Sequence, residues 1–156
     1  MSDDNDGVAL VWPVYKSPEH AIDQRIVDPH ITALYIGTVA DWPDLDDLYE
    51  RCTAAGLDRL TPLVVLTGEF EVFGPEDGLV DVLLMDSPQL EAAREVAGMR
   101  LAEQGLYNAS EWTDYRPHMT LGPKGSAAHY TVPWTVSLYP MELWYGDRKI
   151  KLVGSS

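Results

Sequence analysis

Positive charge is scarce in this sequence, which has 11 lysines and arginines against 25 aspartates and glutamates and a net charge of −14. Proteins that bind long nucleic acids gain most of their affinity by neutralising phosphates with Lys and Arg. The shortage of cations therefore argues against long duplexes or RNA bodies as ligands. A small phosphorylated ligand needs only one or two well-placed cations, and Arg148, Lys149 and Lys151 form the one basic cluster. Acidity also serves solubility, and the sequence does not separate these two interpretations.

Cysteine and long apolar runs are lacking too. The single cysteine, Cys52, excludes an internal disulfide and is typical of a reducing compartment. No apolar run approaches the ~18 residues of a membrane-spanning helix, and residues 1–7 are acidic where a secretory signal would be basic. We expect a cytoplasmic protein, in the host cytoplasm if its source is viral, with no membrane partner.

Length and hydrophobic patterning predict one domain of mixed structure. We expect a flexible acidic N-terminus over 1–7 and a single monomeric domain over 8–153. Most strands are joined by hairpin-type connections, which favours an α+β domain over a doubly wound parallel sheet. The patterning predicts helices over 42–55 and 87–105, and strands over 8–15, 29–38, 64–73, 79–85, 117–122, 131–139 and 141–153.

A His-x-Thr tripeptide preceded by proline occurs twice, as Pro29-His30-Ile31-Thr32 and as Pro117-His118-Met119-Thr120. Side chains alternate between the two faces of a strand, so each His shares a face with its Thr. Ile31 and Met119 then point to the opposite face and can pack into a core. The two histidines are 88 positions apart (118 minus 30), which indicates an internal duplication.

Two imidazoles that face one another across a groove can transfer a phosphoryl group without a metal. Imidazole titrates near neutral pH, so one ring can accept a proton from the attacking oxygen while the other donates one to the departing oxygen. Threonine hydroxyls can donate hydrogen bonds to the non-bridging phosphate oxygens, where negative charge grows in the transition state. The sequence therefore predicts as catalytic residues His30, Thr32, His118 and Thr120.

The histidines also allow a purely structural role or a zinc site, and the sequence favours neither. A lone His-x-Thr carries almost no information, but two copies in apolar strands, in a chain with four histidines, favour a function. A zinc site at His30 and His118 needs a third protein ligand, and His20 and His129 lie outside the strand context. We therefore expect no metal and no cofactor.

The two motifs resemble those of the 2H phosphoesterase superfamily, which includes the LigT-like RNA 2′,3′-cyclic phosphodiesterases once called 2′–5′ RNA ligases. That family is named for two H-x-[T/S] motifs, each usually followed by an apolar residue, and His30-Ile31-Thr32-Ala33 and His118-Met119-Thr120-Leu121 match them. The resemblance implies a two-lobed, pseudo-symmetric α+β fold, with antiparallel sheets lining a central cleft and helices outside.

The resemblance also implies a metal-independent hydrolase. Its substrate would be a cyclic phosphate, a 2′–5′ linkage or a cyclic-oligonucleotide phosphodiester, in a small nucleotide, a short oligonucleotide or an RNA end. Some phage and viral relatives degrade nucleotide signals of host immunity, which is one alternative function. A binding module that keeps the cleft and sequesters a nucleotide without cleaving it is another.

Candidate substrate-binding residues flank the second motif and lie on the strands. Gly122-Pro123 stand where relatives often keep a basic residue, and Lys124 is the candidate substitute. Tyr115 and Arg116 are further candidates to hold phosphate or ribose.

Aromatic residues on the strands are the last group of candidates. Base stacking on such a ring contributes ~1–3 kcal/mol per base. Trp12 and Tyr15 are the preferred stacking residues. Strand aromatics usually belong to a core, so we expect one or two cleft residues among Trp12, Tyr15, Trp134 and Trp144.

Overall fold

A computed structural model describes residues 6–14, 26, 28–62, 65–74, 78–106, 116–129 and 135–152. Short 3₁₀ helices cover Leu57–Arg59 and Ser126–His129. The strands and α-helices within these ranges are β1 (Gly7–Pro13), β2 (His30–Thr38), α1 (Leu45–Ala54), β3 (Val65–Phe73), β4 (Val80–Met85), α2 (Pro88–Glu103), β5 (His118–Pro123), β6 (Thr135–Val136), β7 (Glu142–Tyr145) and β8 (Arg148–Lys151).

The strands form one eight-stranded sheet in the order β6-β3-β4-β5-β2-β1-β7-β8. Every neighbouring pair is antiparallel, which together with two helices confirms the predicted α+β class. The two motif strands, β2 and β5, are neighbours at the centre of the sheet although a helix, a hairpin and a second helix separate them in sequence.

The hydrophobic core joins one face of the sheet to both helices. Leu48 and Cys52 of α1 and Leu90, Ala97 and Leu101 of α2 belong to the same buried cluster as inward residues of the central strands. The apolar residues of the motifs are part of that cluster, because Ile31 and Met119 have no exposed surface. The core therefore occupies the face opposite to the motif His and Thr side chains.

The helix ends agree with the sequence prediction except at the start of the first helix, which begins three residues later than predicted. The first helix begins at Leu45, because Asp44 caps it by accepting a hydrogen bond from the backbone N–H of Asp47 at 3.1 Å. It ends before Gly56, which adopts a left-handed φ of 69°. The second helix has Ser87 at its N-cap and Pro88 in the first helical position, as predicted.

The C-terminal segment differs from its prediction. A single strand was expected over 141–153, whereas β7 and β8 form a two-strand hairpin in which Tyr145 lies opposite Arg148. Gly146 and Asp147 make the two-residue turn, and Gly146 has a φ of 59°, which glycine adopts without strain. Because the chain reverses here, the basic cluster that begins at Arg148 runs back alongside β7.

Membrane-spanning helices are absent from the part of the chain that the structure describes: neither helix is long and apolar enough to cross a bilayer.

The buried cysteine yields a first testable prediction. Cys52 has no exposed surface, and burial raises the pKa of its thiol from 9.0 to about 12. At pH 8 the folded protein then holds roughly a thousandfold less thiolate at this position than the unfolded chain. We expect a chromogenic disulfide reagent to label Cys52 slowly in buffer and at once in denaturant. Equal labelling rates in the two conditions would show that the thiol is accessible in the folded protein.

Candidate active site

The register between the two motif strands brings their polar side chains to one face. Ile31 of β2 lies opposite Met119 of β5 in an antiparallel pair. This is the one register pair recorded between β2 and β5 in the described residues, and continuing the antiparallel register by one residue along each strand places His30 opposite Thr120 and Thr32 opposite His118. All four of these side chains are partly exposed, whereas Ile31 and Met119 are fully buried.

The pairing fixes the scale of this four-residue cluster, which we call the His-Thr cluster. Side chains directly opposite in an antiparallel sheet have Cβ atoms about 4.5–5.5 Å apart, and diagonal neighbours about 7–8 Å. Each histidine is thus beside the threonine of the other motif, and the two imidazoles lie on a diagonal. Spacings of this size match a ligand group the size of one phosphate.

Both imidazole rings are held by the same kind of hydrogen bond. Nδ1 of His30 lies 2.7 Å from the carbonyl oxygen of Asp28, and Nδ1 of His118 lies 2.8 Å from the carbonyl oxygen of Arg116. A carbonyl oxygen only accepts, so each Nδ1 must carry its hydrogen and donate. Nε2 is therefore the nitrogen that gains and loses a proton in each ring.

The proline that precedes each histidine also makes a repeated contact. The carbonyl oxygen of Pro29 accepts from the backbone N–H of Val14 at 2.9 Å, and that of Pro117 accepts from Met85 at 3.0 Å. Each motif is thereby tied to the end of the strand on its outer side, since Val14 directly follows β1 and Met85 ends β4. The local contacts of the two motifs repeat, while a duplication of the whole halves stays a prediction.

An aromatic ring packs against each imidazole. The rings of His30 and Trp144 have centroids 4.4 Å apart and are tilted by 49°. Phe73 meets His118 edge-to-face with centroids 4.8 Å apart. Together with the hydrogen bonds at Nδ1, these ring contacts restrict the side-chain rotamer of each histidine, which fixes the position of its Nε2 atom.

The surroundings of His30 favour its neutral form. Burial lowers its pKa below the ordinary value of 6.5, and the positive charges of Lys149 and, to a lesser degree, His118 act in the same direction. The hydrogen bond to the Asp28 carbonyl and the Asp28 carboxylate oppose this effect only in part. His30 is therefore a free base over more of the acidic range than an exposed histidine.

Two ion pairs flank the cluster, one beside each histidine. The ammonium of Lys149 lies 2.7 Å from Asp28 Oδ2 and 4.5 Å from the centre of the Trp144 ring. Arg116 pairs with Glu71 at 3.4 Å. Lys149 and Arg116 are both substantially exposed, at 45% and 57% of their side-chain surface.

A cavity opens beside the second motif. Its volume is about 340 Å³, within the size range of small-ligand pockets. The lining residues are Gly68, Glu69, Leu84, Met85, Asp86, Glu91, Arg116 and Pro117. Three carboxylates against one guanidinium make this cavity acidic.

The predicted substrate-binding residues have different positions in the structure. Arg116 is exposed beside His118, and Lys124 is exposed just past the end of β5, with its backbone N–H bonded to Leu79 O at 3.1 Å. Tyr15 and Tyr115 lie outside the described residues, as does Trp134.

Trp12 requires a correction. It was predicted to stack a base, but it is fully buried in the core. Its register partner on β2 is Ile31, which faces the core as well. The ring therefore cannot reach a ligand in the cleft, and of the tryptophans that the structure describes here, Trp144 is the one in contact with a motif histidine.

Sequence reasoning missed the contacts of Lys149, Asp28 and Phe73 with the site. The available signal was the Gly146-Asp147 turn, which returns β8 alongside β7. As for a metal, the described ranges contain no group of three or more His, Cys, Asp or Glu residues that could hold an ion.

Comparison with known proteins gives a family and several structural likenesses. A phosphoesterase crystal structure matches at 15% identity over 92% of this chain and 99% of that one, with a TM-score of 0.48. The MHV ns2 PDE domain matches at 13% identity over 94% and 99%, with a TM-score of 0.49. Apo LigT of E. coli matches at 15% identity over 88% and 86%, with a TM-score of 0.48. No curated protein matches the chain.

The family assignment comes from the model of the 2′-5′ RNA ligase superfamily, which matches residues 15–147. That range contains both His-x-Thr motifs and six of the eight strands, leaving out β1 and β8. The chain belongs to the 2′-5′ RNA ligase superfamily, and its two motifs are those of a 2H phosphoesterase.

Proposed function

We propose that this protein is a metal-independent phosphodiesterase that hydrolyses a cyclic phosphate, a 2′–5′ linkage or a cyclic-oligonucleotide phosphodiester in a small nucleotide or RNA end. One observation supports this proposal: the antiparallel pairing of Ile31 with Met119, whose register, continued by one residue, brings His30, Thr32, His118 and Thr120 together on the partly exposed face of the sheet. A purely structural strand pair does not need two imidazoles at its centre whose Nδ1 atoms are each fixed by a hydrogen bond to a backbone carbonyl.

The lowered pKa of His30 supports a role as general base. Its Nε2 takes a proton from a water molecule, whose oxygen forms a bond to phosphorus. The bond between phosphorus and the departing oxygen breaks, and protonated His118 donates its Nε2 proton to that oxygen. The hydroxyls of Thr32 and Thr120 donate to the non-bridging oxygens, where charge increases in the transition state.

The charges favour a small substrate over a polyanion. The net charge is −14, and three of the carboxylates, Glu69, Asp86 and Glu91, line the cavity beside the second motif. A phosphate outside the reach of Lys149 and Arg116 would meet mainly negative charge. A nucleotide with one or two phosphates suits the site better than a long strand.

The pH dependence of turnover tests the assignment of roles. We expect a bell-shaped profile of kcat/KM against pH, measured on the cyclic nucleotide that is turned over fastest. The acidic limb should lie below pH 6.5, because activity is lost only when the pH falls through the lowered pKa of His30 and the base becomes protonated. Activity falls again at high pH, where the general acid no longer holds the proton that it must donate.

Two controls accompany this profile. EDTA should leave the rate unchanged, because no step uses a metal ion. A profile that stays flat between pH 5 and 8, or an acidic limb well above pH 6.5, would contradict the assigned role of His30.

A further inference from the structure

Lys149 contacts two residues, Asp28 and Trp144, and each of them also contacts His30. Its ammonium lies 2.7 Å from the Asp28 carboxylate, and the Asp28 carbonyl holds His30 Nδ1 at 2.7 Å. The same ammonium sits 4.5 Å from the centre of the Trp144 ring, which packs 4.4 Å from the His30 ring. Lys149 thus closes a cluster with Asp28, Trp144 and His30, although it lies 121 positions from Asp28 in sequence.

The Asp28 backbone needs an external restraint. Its φ of 46° makes it the one residue other than glycine with a positive φ in the described part of the chain. Aspartate tolerates this conformation better than most residues, but it remains a sparsely populated one. The ion pair with Lys149 fixes the side chain of the residue whose carbonyl orients the imidazole.

Four charged or titratable groups surround the His30 ring. Lys149 and His118 act on it from β8 and β5, and Asp28 acts from the segment before β2. Glu142 of β7 is one step removed, because it accepts a hydrogen bond from Trp144 Nε1 at 3.0 Å. Lys149 is the one permanent cation among them.

We propose that Lys149 is a positioning residue for His30: it anchors the Asp28 segment that orients the ring, and its positive charge favours the neutral ring over the protonated one. This inference rests on the proposed role of His30 as general base. It extends the active site to the last strand of the sheet, whose basic residues would otherwise be an ordinary surface cluster. Because the Lys149–Asp28 pair is exposed, its removal should alter the site far more than the stability of the fold.

The titration of His30 in the free protein tests this inference directly. In Lys149→Gln, NMR of the imidazole Cε1–H should show His30 titrating at higher pH than in the wild type, since a nearby positive charge is gone. Lys149→Arg keeps the charge and should restore the wild-type titration. Arg148→Gln is the matched control: it removes the same charge one residue away, on the other side of the strand, and should leave the titration unchanged.

Kinetics and salt provide the second readout. The acidic limb of kcat/KM should move to higher pH in Lys149→Gln together with the His30 titration, while the melting temperature stays that of the wild type. Raising the salt concentration should reduce the difference between the two proteins, because the interaction is screened.

Different results overturn the inference and the proposed function. If His30 titrates identically in Lys149→Gln and the wild type, or if Arg148→Gln shifts it equally, Lys149 has no special position. If the titration moves as expected but no phosphodiester is hydrolysed by the wild type, the electrostatic arrangement is correct and the assigned function is wrong.

Discussion

Replacing either motif histidine with asparagine should reduce kcat/KM by about 10²–10⁴-fold, the usual contribution of a general acid or base. In the wild type, the carbonyl of Asp28 or Arg116 accepts the hydrogen bond from the histidine Nδ1. The asparagine side-chain N–H can donate to the same carbonyl, but asparagine cannot exchange a proton near neutral pH. Both histidines are partly exposed, so we expect the variants to remain folded. Turnover, circular dichroism and thermal unfolding of each purified variant provide the measurement.

The double variant and a third histidine serve as controls. If His30 and His118 act in one concerted proton transfer, the double variant should lose little more activity than the worse single variant. His20→Asn removes a histidine outside the motifs and should retain full activity. Substantial activity in either motif variant would show that its imidazole is not needed for proton transfer.

Replacing the threonine of either motif with valine should lower kcat by about 10²–10³-fold, as the loss of one donor to a developing charge does in other enzymes. Valine has nearly the same shape and favours strands, so Thr32→Val and Thr120→Val should keep their backbone positions. The comparison of kcat with KM is informative, because a bond that strengthens in the transition state affects kcat more than KM.

Serine and a remote threonine provide the controls for this result. Thr32→Ser and Thr120→Ser keep the hydroxyl and should recover most of the lost activity. Thr135→Val removes an exposed hydroxyl from β6 at the edge of the sheet and should leave turnover unchanged. If the motif valine variants behave like Thr135→Val, the hydroxyls do not bind the reacting phosphate.

The sequence allowed the faces of the motif strands to be predicted, because alternation is a local property of a strand. Ile31 and Met119 are buried and the histidines are partly exposed, as that alternation requires. The pairing of β2 with β5 was only an assumption, since a contact between segments so far apart depends on the packing of the elements between them. The register that crosses each histidine with the other motif's threonine came from the structure alone.

The errors have specific physical reasons. The prediction for Trp12 rests on the ability of strand aromatics to stack bases, but β1 is central and buried on both faces, so its tryptophan belongs to the core. Lys124 is not one of these errors: its predicted role rests on its place beside the second motif and stays a prediction. The cation in contact with Trp144 and Asp28 is Lys149, which lies beside them because a hairpin turn interrupts the range that the sequence predicts as one strand.

The central claim is that both imidazoles act on one phosphorus atom, and one measurement tests it most directly. The wild-type protein is incubated with EDTA, in water enriched in oxygen-18, with a panel of 2′,3′-cyclic nucleotides, 2′–5′ oligoadenylates and cyclic oligonucleotides, and the products are resolved by mass. The account predicts that at least one compound gains a single water, with the heavy oxygen on phosphorus, and that His30→Asn and His118→Asn each form this product at least about 10²-fold more slowly. Full recovery of every compound unchanged, with calorimetry showing that one of them binds, would contradict the account and identify a nucleotide-binding module instead.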